Sequence, residues 1–283
     1  MPGPLIVAHR GSSVAVAEHT LRAYERAIAD GADALECDVR LTRDHHLVCV
    51  HDRLLGRTSD GHGAVSETDL ADLDRLDFAR WRADLPVSAD SLVAPGVLRG
   101  DPGPVLRLAD LLELVVDADR PVRLFVETKH PNRFAGVVEQ QLATALRRYG
   151  LTEPADPDES RVVVMSFAPI GVRRMRLLVP AIPKVLLMQS LPALRRDGSL
   201  PPGVGVAGPS IELLREHPDY VDRAHARGNR TYTWTVDAPD DVDLARQLGV
   251  DMIATNEPAA VRARLAAPDS RARDVSGVHP RGR

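Results

Sequence analysis

The sequence is poor in the residues that mark several classes of protein. Aromatic residues make up 4% of the 283 residues, and the two cysteines are too few for a disulfide scaffold. No stretch approaches the ~20 apolar residues that a membrane-spanning helix needs. The formal net charge is -4, so the chain lacks the basic excess with which sequence-independent nucleic-acid binders displace counterions. We therefore expect no disulfide framework, no stable membrane insertion and no nucleic-acid partner.

The composition, with 44% hydrophobic and 27% charged residues, is that of an ordinary globular protein. Cys37 and Cys49 lie in apolar runs and not in a Cys-x-x-Cys pattern, which predicts two buried side chains and no zinc site. The N-terminal segment has no basic stretch and only a short apolar run, which is not typical of a signal peptide. We expect a cytoplasmic enzyme or binding protein, and the composition leaves its oligomeric state open.

Short apolar runs alternate with amphipathic stretches along nearly the whole chain, as in parallel α/β proteins. Eight strands, each followed by a helix, favour an α/β fold of the (β/α)₈ TIM-barrel type over an open sheet, since no glycine-rich nucleotide motif follows any strand. Helices are predicted at Thr20–Asp30, with Leu21 on its buried face, and at Pro131–Tyr149. The predicted strands are Leu5–Ala8, Ala34–Val39, Arg123–Lys129, Val162–Phe167, Lys184–Met188, Gly203–Pro209, Thr231–Val236 and Asp251–Thr255.

Two segments interrupt this alternation. The connection from Ala34–Val39 to a second apolar run, Leu47–Val50, is so short that it predicts an antiparallel hairpin after strand 2. Residues 53–104 are rich in Asp, Gly and Pro, which predicts an inserted excursion over the C-terminal mouth of the barrel. We expect one domain over residues 1–266 and a disordered tail over 267–283.

The hairpin brings polar residues together. If it turns at Asp44-His45, Asp38 faces His51 directly, and Glu36 shares that face because side chains alternate along a strand. A three-residue turn would shift the pairing and remove this direct facing.

Charged residues also follow other apolar runs. Because the carboxyl ends of barrel strands build the active site, we expect one mouth to be ringed by His9, Arg10, Glu36, Asp38, Glu127 and Lys129.

This set of residue types indicates phosphoester hydrolysis. Three carboxylates without thiolates favour Mg²⁺ or Ca²⁺ as the bound cation. His9 and His51 can serve as general acid and base near neutral pH, and Arg10 and Lys129 supply fixed positive charge for a phosphate. Taken singly, such features are more often structural. Trp234, near a strand end, is predicted with equal weight to pack in the core or to line the substrate site.

Short motifs that occur in order from about residue 5 to 265 resemble the glycerophosphodiester phosphodiesterase family, whose bacterial members are metal-dependent TIM-barrel hydrolases. The motifs are Ala8-His9-Arg10-Gly11, Ala17-Glu18-His19-Thr20, Leu35-Glu36-Cys37-Asp38-Val39, Val50-His51-Asp52, Arg57-Thr58-Ser59-Asp60-Gly61, Val126-Glu127-Thr128-Lys129, Ser166-Phe167, Trp234-Thr235-Val236-Asp237 and 249–258. The resemblance implies hydrolysis of a glycerophosphodiester to sn-glycerol 3-phosphate and an alcohol. Attack by water and attack by the substrate's own glycerol hydroxyl both stay open.

The resemblance also implies residue roles. It assigns His9 and His51 as general base and acid, and Arg10 and Lys129 as phosphate contacts. The metal ligands that it implies are Glu36, Asp38 and Glu127, with Glu18 at the same site.

Three departures from the family pattern stand out. His19 and Asp237 each replace the usual asparagine, and Leu106-Arg107-Leu108 replaces a common Pro-Thr-Leu. None of them removes a metal ligand or an acid/base group, but His19 adds a third imidazole beside the site.

Two other functions are compatible with parts of the sequence. A lysophospholipase D-like activity would need an apolar surface near the mouth, and the excursion has residues that could either form one or pack together: Leu54, Leu55, Leu73, Leu76, Phe78 and Trp81. A catalytically silent phosphodiester-binding barrel would lack an acid/base histidine or a metal carboxylate, and this sequence keeps them all.

Overall fold

The computed structural model describes residues 3–79 and 102–267. Eight parallel strands form a closed barrel in the order β1-β2-β4-β5-β6-β7-β8-β9, and β9 pairs with β1 to complete it. This confirms the predicted TIM barrel and all eight predicted strands. The strands are β1 Leu5–His9, β2 Ala34–Leu41, β3 Leu47–Cys49, β4 Arg123–Thr128, β5 Val162–Ser166, β6 Lys184–Met188, β7 Val206–Pro209, β8 Arg230–Thr233 and β9 Met252–Thr255.

Helices separate most of the strands and pack on the outside of the barrel. The expectation of a helix after every strand is wrong at one place: only a 3₁₀ turn, Ala193–Arg195, joins β6 to β7, because Gly198, at a left-handed φ of 81°, and the prolines at 201 and 202 follow it closely and end the helical segment. Among the described residues the helices are α1 Leu21–Ala29, α2 Leu70–Leu73, α3 Leu108–Asp117, α4 Val137–Arg148, α5 Pro169–Leu178, α6 Ile211–Glu216, α7 Tyr220–Ala226, α8 Pro239–Gln247 and α9 Pro258–Ala266.

The first helix shows how local sequence fixes the ends of these elements. The hydroxyl of Thr20 accepts a hydrogen bond from the backbone N–H of Ala23 at 3.2 Å, which caps the start of α1. Its buried face consists of Ala23, Tyr24 and Ala27. Leu21, which was expected on that face, is 37% exposed because it lies about 160° around the helix from Ala23. No described helix is long and apolar enough to cross a bilayer.

The predicted hairpin is present, but its predicted register is wrong by one residue. Val39 lies opposite Cys49, and the backbone N–H of Val50 donates to the carbonyl of Asp38 at 3.1 Å. Asp38 therefore faces Val50 and not His51. The reason is a three-residue turn in which His45 has a left-handed φ of 66°.

The barrel interior contains a layer of apolar side chains, called the apolar layer below. It is formed by Val7, Ala34, Phe125, Val163, Met165, Val185, Leu187, Val206, Tyr232, Met252 and Ala254. Side chains two residues apart on a strand share a face. The positions two residues beyond Val7 and Phe125 are therefore also interior, and they hold His9 and Glu127. The charged residues thus sit at the carboxyl ends of the strands, above the apolar layer.

The described part of the excursion, residues 53–79, forms a small core of its own. Its side chains pack against β3 and against Val105. Leu55, Leu73 and Phe78 are buried there, while Leu54 is 58% exposed. Trp81, with the rest of residues 80–101, and the predicted disordered tail beyond residue 267 lie outside the described residues. Cys37 and Cys49 are buried free thiols, as predicted.

Candidate active site

Three carboxylates converge at the mouth of the barrel. Glu36 and Asp38 come from β2, and Glu127 comes from the neighbouring strand β4, directly beside Asp38 in register. One oxygen from each lies within 4.8 Å of the others, and all three side chains are buried. The strand pairing, and not sequence proximity, creates this cluster.

Positively charged and donor groups surround Asp38. Its Oδ1 lies 2.9 Å from Lys129 Nζ, and its Oδ2 lies 3.2 Å from Arg10 Nε and 2.9 Å from His19 Nε2. Burial alone would raise the pKa of Asp38, but Lys129, His51 and Arg10 together hold this pKa well below its usual value. Asp38 is therefore a permanent carboxylate at the centre of the cluster.

The pKa values of the other two carboxyl groups are raised. Burial, followed by the nearby charge of Asp38, raises the pKa of Glu36 well above its usual value. Burial also raises the pKa of Glu127 to about 7, although Lys129 Nζ lies 2.9 Å from Glu127 Oε2. Full ionisation of the three carboxyls, with its negative charge, is thus unfavourable when only the cations of the protein itself are nearby. A hard divalent cation bound by oxygen ligands would offset this charge, so the residues present fit such an ion.

His9 lies at the edge of the carboxylate cluster, at the end of β1. Its Nδ1 is 2.9 Å from Asn256 Oδ1, and its Nε2 is on the side of Glu36, 4.0 Å from Oε2. Burial, followed by the positive charge of Arg10, lowers the pKa of His9 well below its usual value. The imidazole is therefore neutral near pH 7 and can accept a proton.

His51 lines the same pocket as His9 despite the shifted hairpin. Its Nδ1 lies 2.7 Å from Asp52 Oδ1, and the guanidinium of Arg40 donates to its carbonyl oxygen at 2.7 and 3.0 Å. These contacts, made after β3 has ended, orient the ring toward the mouth. Burial and the charge of Arg10 lower the pKa of His51, though not as far as that of His9.

Glu18 lies beside the pocket and links two arginines. Its carboxylate accepts from Arg57 at 2.6 and 2.8 Å and from Arg10 Nη1 at 3.2 Å. Arg57 also pairs with Asp52, which holds His51. Sequence reasoning assigned no role to Arg57 or Asp52, although both lie within the quoted motifs, since nothing in their spacing indicates this link.

His19 lies against the carboxylates, and it is not among the residues that line the pocket. Its Nδ1 is 2.7 Å from the Tyr24 hydroxyl, which donates to the Glu36 carbonyl oxygen at 3.0 Å. The backbone at His19 has a left-handed φ of 56°, a conformation in which asparagine and histidine are both enriched. The replacement of asparagine by histidine therefore fits the backbone at this position.

The strands across the barrel from β1, β2 and β4 contribute mainly apolar side chains to the pocket. Met165, Phe167, Leu187 and Trp234 form this side of the pocket, called the apolar wall below. The ring of Phe167 meets that of Trp234 edge-on at 5.1 Å, and Trp234 Nε1 donates to the Gly208 carbonyl at 2.9 Å. Val236, two residues beyond Trp234, packs in the outer core and not on this wall, because β8 ends at Thr233 and the alternation of side chains stops there.

The structure therefore brings most of the predicted site residues to one pocket. The charged side, called the charged wall below, is lined by His9, Arg10, Glu36, Glu127 and Lys129, and it includes Asp38, which is buried behind Arg10 and Lys129. His51 and Trp234 line the same pocket, and Glu18 and His19 contact the charged wall from behind. Asn256 was missed by sequence reasoning because its role depends on a contact between the first and last strands.

The fold and this site define a TIM-barrel protein whose mouth combines a carboxylate cluster, two imidazoles and fixed cations, a combination suited to phosphate esters. The model of the glycerophosphoryl diester phosphodiesterase family matches residues 9–260. The chain is 46% identical over 262 residues to a Mycobacterium tuberculosis protein named "Probable glycerophosphodiester phosphodiesterase 1", covering 93% of this chain and 92% of that one. The chain belongs to the glycerophosphoryl diester phosphodiesterase family.

Two further comparisons agree. A glycerophosphodiester phosphodiesterase of Caldanaerobacter subterraneus subsp. tengcongensis is 30% identical over 266 residues, with 90% of this chain and 94% of that one covered. A crystal structure from Silicibacter pomeroyi, of a candidate glycerophosphoryl diester phosphodiesterase, superposes with a TM-score of 0.80. It is 25% identical, and the match covers 94% of each chain.

Proposed function

We propose that this enzyme hydrolyses glycerophosphodiesters to sn-glycerol 3-phosphate and an alcohol, with the help of a divalent cation and two histidines. The observation that carries the proposal is the position of His9 and His51 in one pocket with a buried carboxylate cluster and two fixed cations. Family membership supports the substrate class.

Glu36, Asp38 and Glu127 would hold the cation, either Mg²⁺ or Ca²⁺, since both prefer carboxylate oxygens. When bound, such an ion supplies Lewis-acid stabilisation of charge on the phosphate oxygens. The raised pKa values of Glu36 and Glu127 support this assignment, because ionisation of these carboxyls is unfavourable without a cation and a bound cation would offset that cost.

His9 would act as the general base. Its lowered pKa keeps it neutral, and it would accept a proton from the attacking group, either water or the substrate's own glycerol hydroxyl. His51 would act as the general acid and donate a proton to the leaving alkoxide oxygen. Its contact with Asp52 supports this role, because a neighbouring carboxylate favours the protonated imidazole.

Arg10 and Lys129 would bind the phosphate and stabilise the charge that grows on it in the transition state. Both are buried, and both already lie against Asp38. This anchoring fixes the cations in place before substrate arrives. They need no reorganisation during the reaction, which is the condition under which electrostatic stabilisation is most effective.

A lysophospholipid is the second candidate substrate, because Phe167 and Leu54 expose apolar surface. Most of the described apolar residues of the excursion are nevertheless buried in its own core. This packing favours a small glycerophosphodiester over a substrate with an acyl chain. Glycerophosphocholine and lysophosphatidylcholine, assayed side by side, would separate the two functions.

The direct test is release of glycerol 3-phosphate from glycerophosphocholine by the purified protein with Mg²⁺, with Ca²⁺ and with excess chelator. We expect metal-dependent release that is lost in His9→Ala and in Glu127→Ala. A Glu212→Ala variant, altered at an exposed position on α6, serves as the control and should keep full activity. Folded protein that releases no glycerol 3-phosphate with either metal would refute the proposal for this substrate.

A further inference from the structure

Asp237 does not line the pocket, yet it is connected to it through a single residue. Its Oδ1 accepts from the Thr255 hydroxyl at 2.8 Å and from the backbone N–H of Asn256 at 2.7 Å. Its Oδ2 accepts from Asn256 Nδ2 at 2.6 Å. Three donors thus converge on one carboxylate at the junction of β9 and α9.

This arrangement fixes the orientation of the Asn256 amide. A carboxylate can only accept hydrogen bonds, so the Asn256 atom that faces Asp237 must be the NH₂ group. The amide oxygen is consequently directed the other way. There it lies 2.7 Å from the Ser13 hydroxyl, which donates to it, and 2.9 Å from Nδ1 of His9.

The orientation of the amide in turn determines which nitrogen of His9 carries the proton. An amide oxygen can only accept, so Nδ1 of His9 must be the donor. A neutral imidazole, the form that can act as a base, has a single N–H, and this contact places it on Nδ1. The other nitrogen, Nε2, is therefore left with its lone pair, on the side of the ring that lies 4.0 Å from Glu36 Oε2.

We propose that Asp237 is a positioning residue that sets the tautomer of His9 through Asn256. Its carboxylate orients the amide, the amide oxygen holds the proton on Nδ1, and Nε2 is thereby kept available as the base. The inference rests on the proposed function for the catalytic consequence, but the tautomer itself can be measured without any substrate.

The variant Asp237→Asn reverses this chain of contacts. An amide at position 237 can still accept from the backbone N–H of Asn256, but its NH₂ then faces the NH₂ of Asn256. Two donors cannot pair, so the amide of Asn256 rotates and turns its NH₂ toward His9. Nδ1 then becomes the acceptor, and the proton of the imidazole moves to Nε2.

The exchange variant Asp237→Asn/Asn256→Asp restores the original pattern with the two side chains swapped. A carboxylate at position 256 accepts from His9 Nδ1, from the Ser13 hydroxyl and from the NH₂ at position 237. We expect this double variant to return the proton to Nδ1. A mere loss of packing at position 237 would not be repaired by a second substitution at position 256.

The test is ¹⁵N NMR of the full chain with labelled histidine and without added metal. The His9 signals are assigned by their loss in His9→Gln. We expect the Nδ1–H tautomer in the wild type and the exchange variant, and the Nε2–H tautomer in Asp237→Asn. An Nε2–H tautomer in the wild type overturns the proposal, as does an unchanged tautomer in folded Asp237→Asn. If Asp237→Asn does not fold, the wild type and the exchange variant decide.

Kinetics give a second readout. With Mg²⁺ and glycerophosphocholine, we expect kcat of Asp237→Asn to fall about 100-fold with little change in KM, and the exchange variant to recover most of the loss. Asp237→Asn with normal kcat and only a lower thermal midpoint would show a structural role and overturn the proposal. Absence of hydrolysis by a wild type that shows the Nδ1–H tautomer would refute the proposed function and leave the hydrogen-bond inference intact.

Discussion

The barrel interior contains two regions built from the same strands, the apolar layer and the charged wall above it. On β1, Val7 belongs to the apolar layer and His9 to the charged wall. On β4, Phe125 and Glu127 divide in the same way. Each step of two residues along a strand is about 7 Å. The change from a packed core to a charged site thus occurs within a single two-residue step along each strand.

The two regions differ in what they contribute to the free energy of folding. Burial of the apolar layer stabilises the barrel, because apolar surface is removed from water. The charged wall opposes folding in part, since burial raises the pKa of Glu36 and Glu127 and makes their ionisation unfavourable. The residues that stabilise the fold and the residues proposed for the chemistry thus lie at different positions along the same strands. Substitutions in the apolar layer should lower stability more than activity, and substitutions in the charged wall should lower activity more than stability.

The sharpest test in the charged wall is Glu36→Gln. We expect activity to fall about 10³-fold, because one ligand of the proposed cation is lost and Lewis-acid stabilisation is worth several kcal/mol. Stability without metal should stay the same or rise, since the amide keeps an acceptor for the Arg10 N–H without a buried charge. Chemical denaturation in chelator, together with the glycerophosphocholine assay, measures both. Strong destabilisation of the metal-free Glu36→Gln variant would contradict the statement that the charged wall opposes folding.

The counterpart in the apolar layer is Phe125→Ala. The Phe125 ring is fully buried and stacks on Tyr232 at 5.4 Å, so its removal should cost about 3–5 kcal/mol of unfolding free energy. Activity per folded molecule should change little, because Phe125 does not line the pocket. Phe125→Leu is the matched control and should cost less. If the folded fraction of Phe125→Ala were as inactive as Glu36→Gln, the two regions would not be separable.

A pH experiment sharpens the comparison within the charged wall. In the folded, metal-free protein the pKa of Glu127 is about 7, against an ordinary value of 4.5. A carboxyl with a raised folded-state pKa contributes stability that is present below 4.5 and is lost as the pH rises through 7. We expect the thermal midpoint of chelated wild type to fall over this interval more than that of Glu127→Gln. Added Mg²⁺ should cancel the difference, and equal pH slopes would refute the assignment.

Much of the fold could be predicted because its signals are local. Apolar runs and helical periodicity located all eight barrel strands, since each strand is buried on both faces. The prediction of a helix between β6 and β7 was wrong, because it was inferred from the alternation of strands and helices. It did not take account of the prolines in that segment. The predicted hairpin register was wrong because the length of the turn depends on a backbone conformation. That conformation, the left-handed φ of His45, cannot be read from the composition.

The site could be predicted in part for a related reason. Residues at strand ends, such as His9 and Glu127, were found because parallel strands bring their carboxyl ends to one edge. The contacts that orient them were not found. Asn256 reaches His9 from the other end of the chain, and Arg57 reaches Glu18 from within the excursion. Such contacts depend on how loops pack, and no periodicity in the sequence encodes them.

The smallest effect is expected at the apolar wall. Phe167 is 39% exposed and contacts Trp234 edge-on, an interaction worth about 0.5–1.5 kcal/mol. Phe167→Ala should therefore raise KM for glycerophosphocholine about 2- to 10-fold and leave kcat nearly unchanged, because the wall binds ground state and transition state alike. Phe167→Leu, which keeps an apolar surface, should lie closer to wild type. A fall in kcat comparable to that of Glu36→Gln would mean that the apolar wall, like the charged wall, takes part in the chemical step.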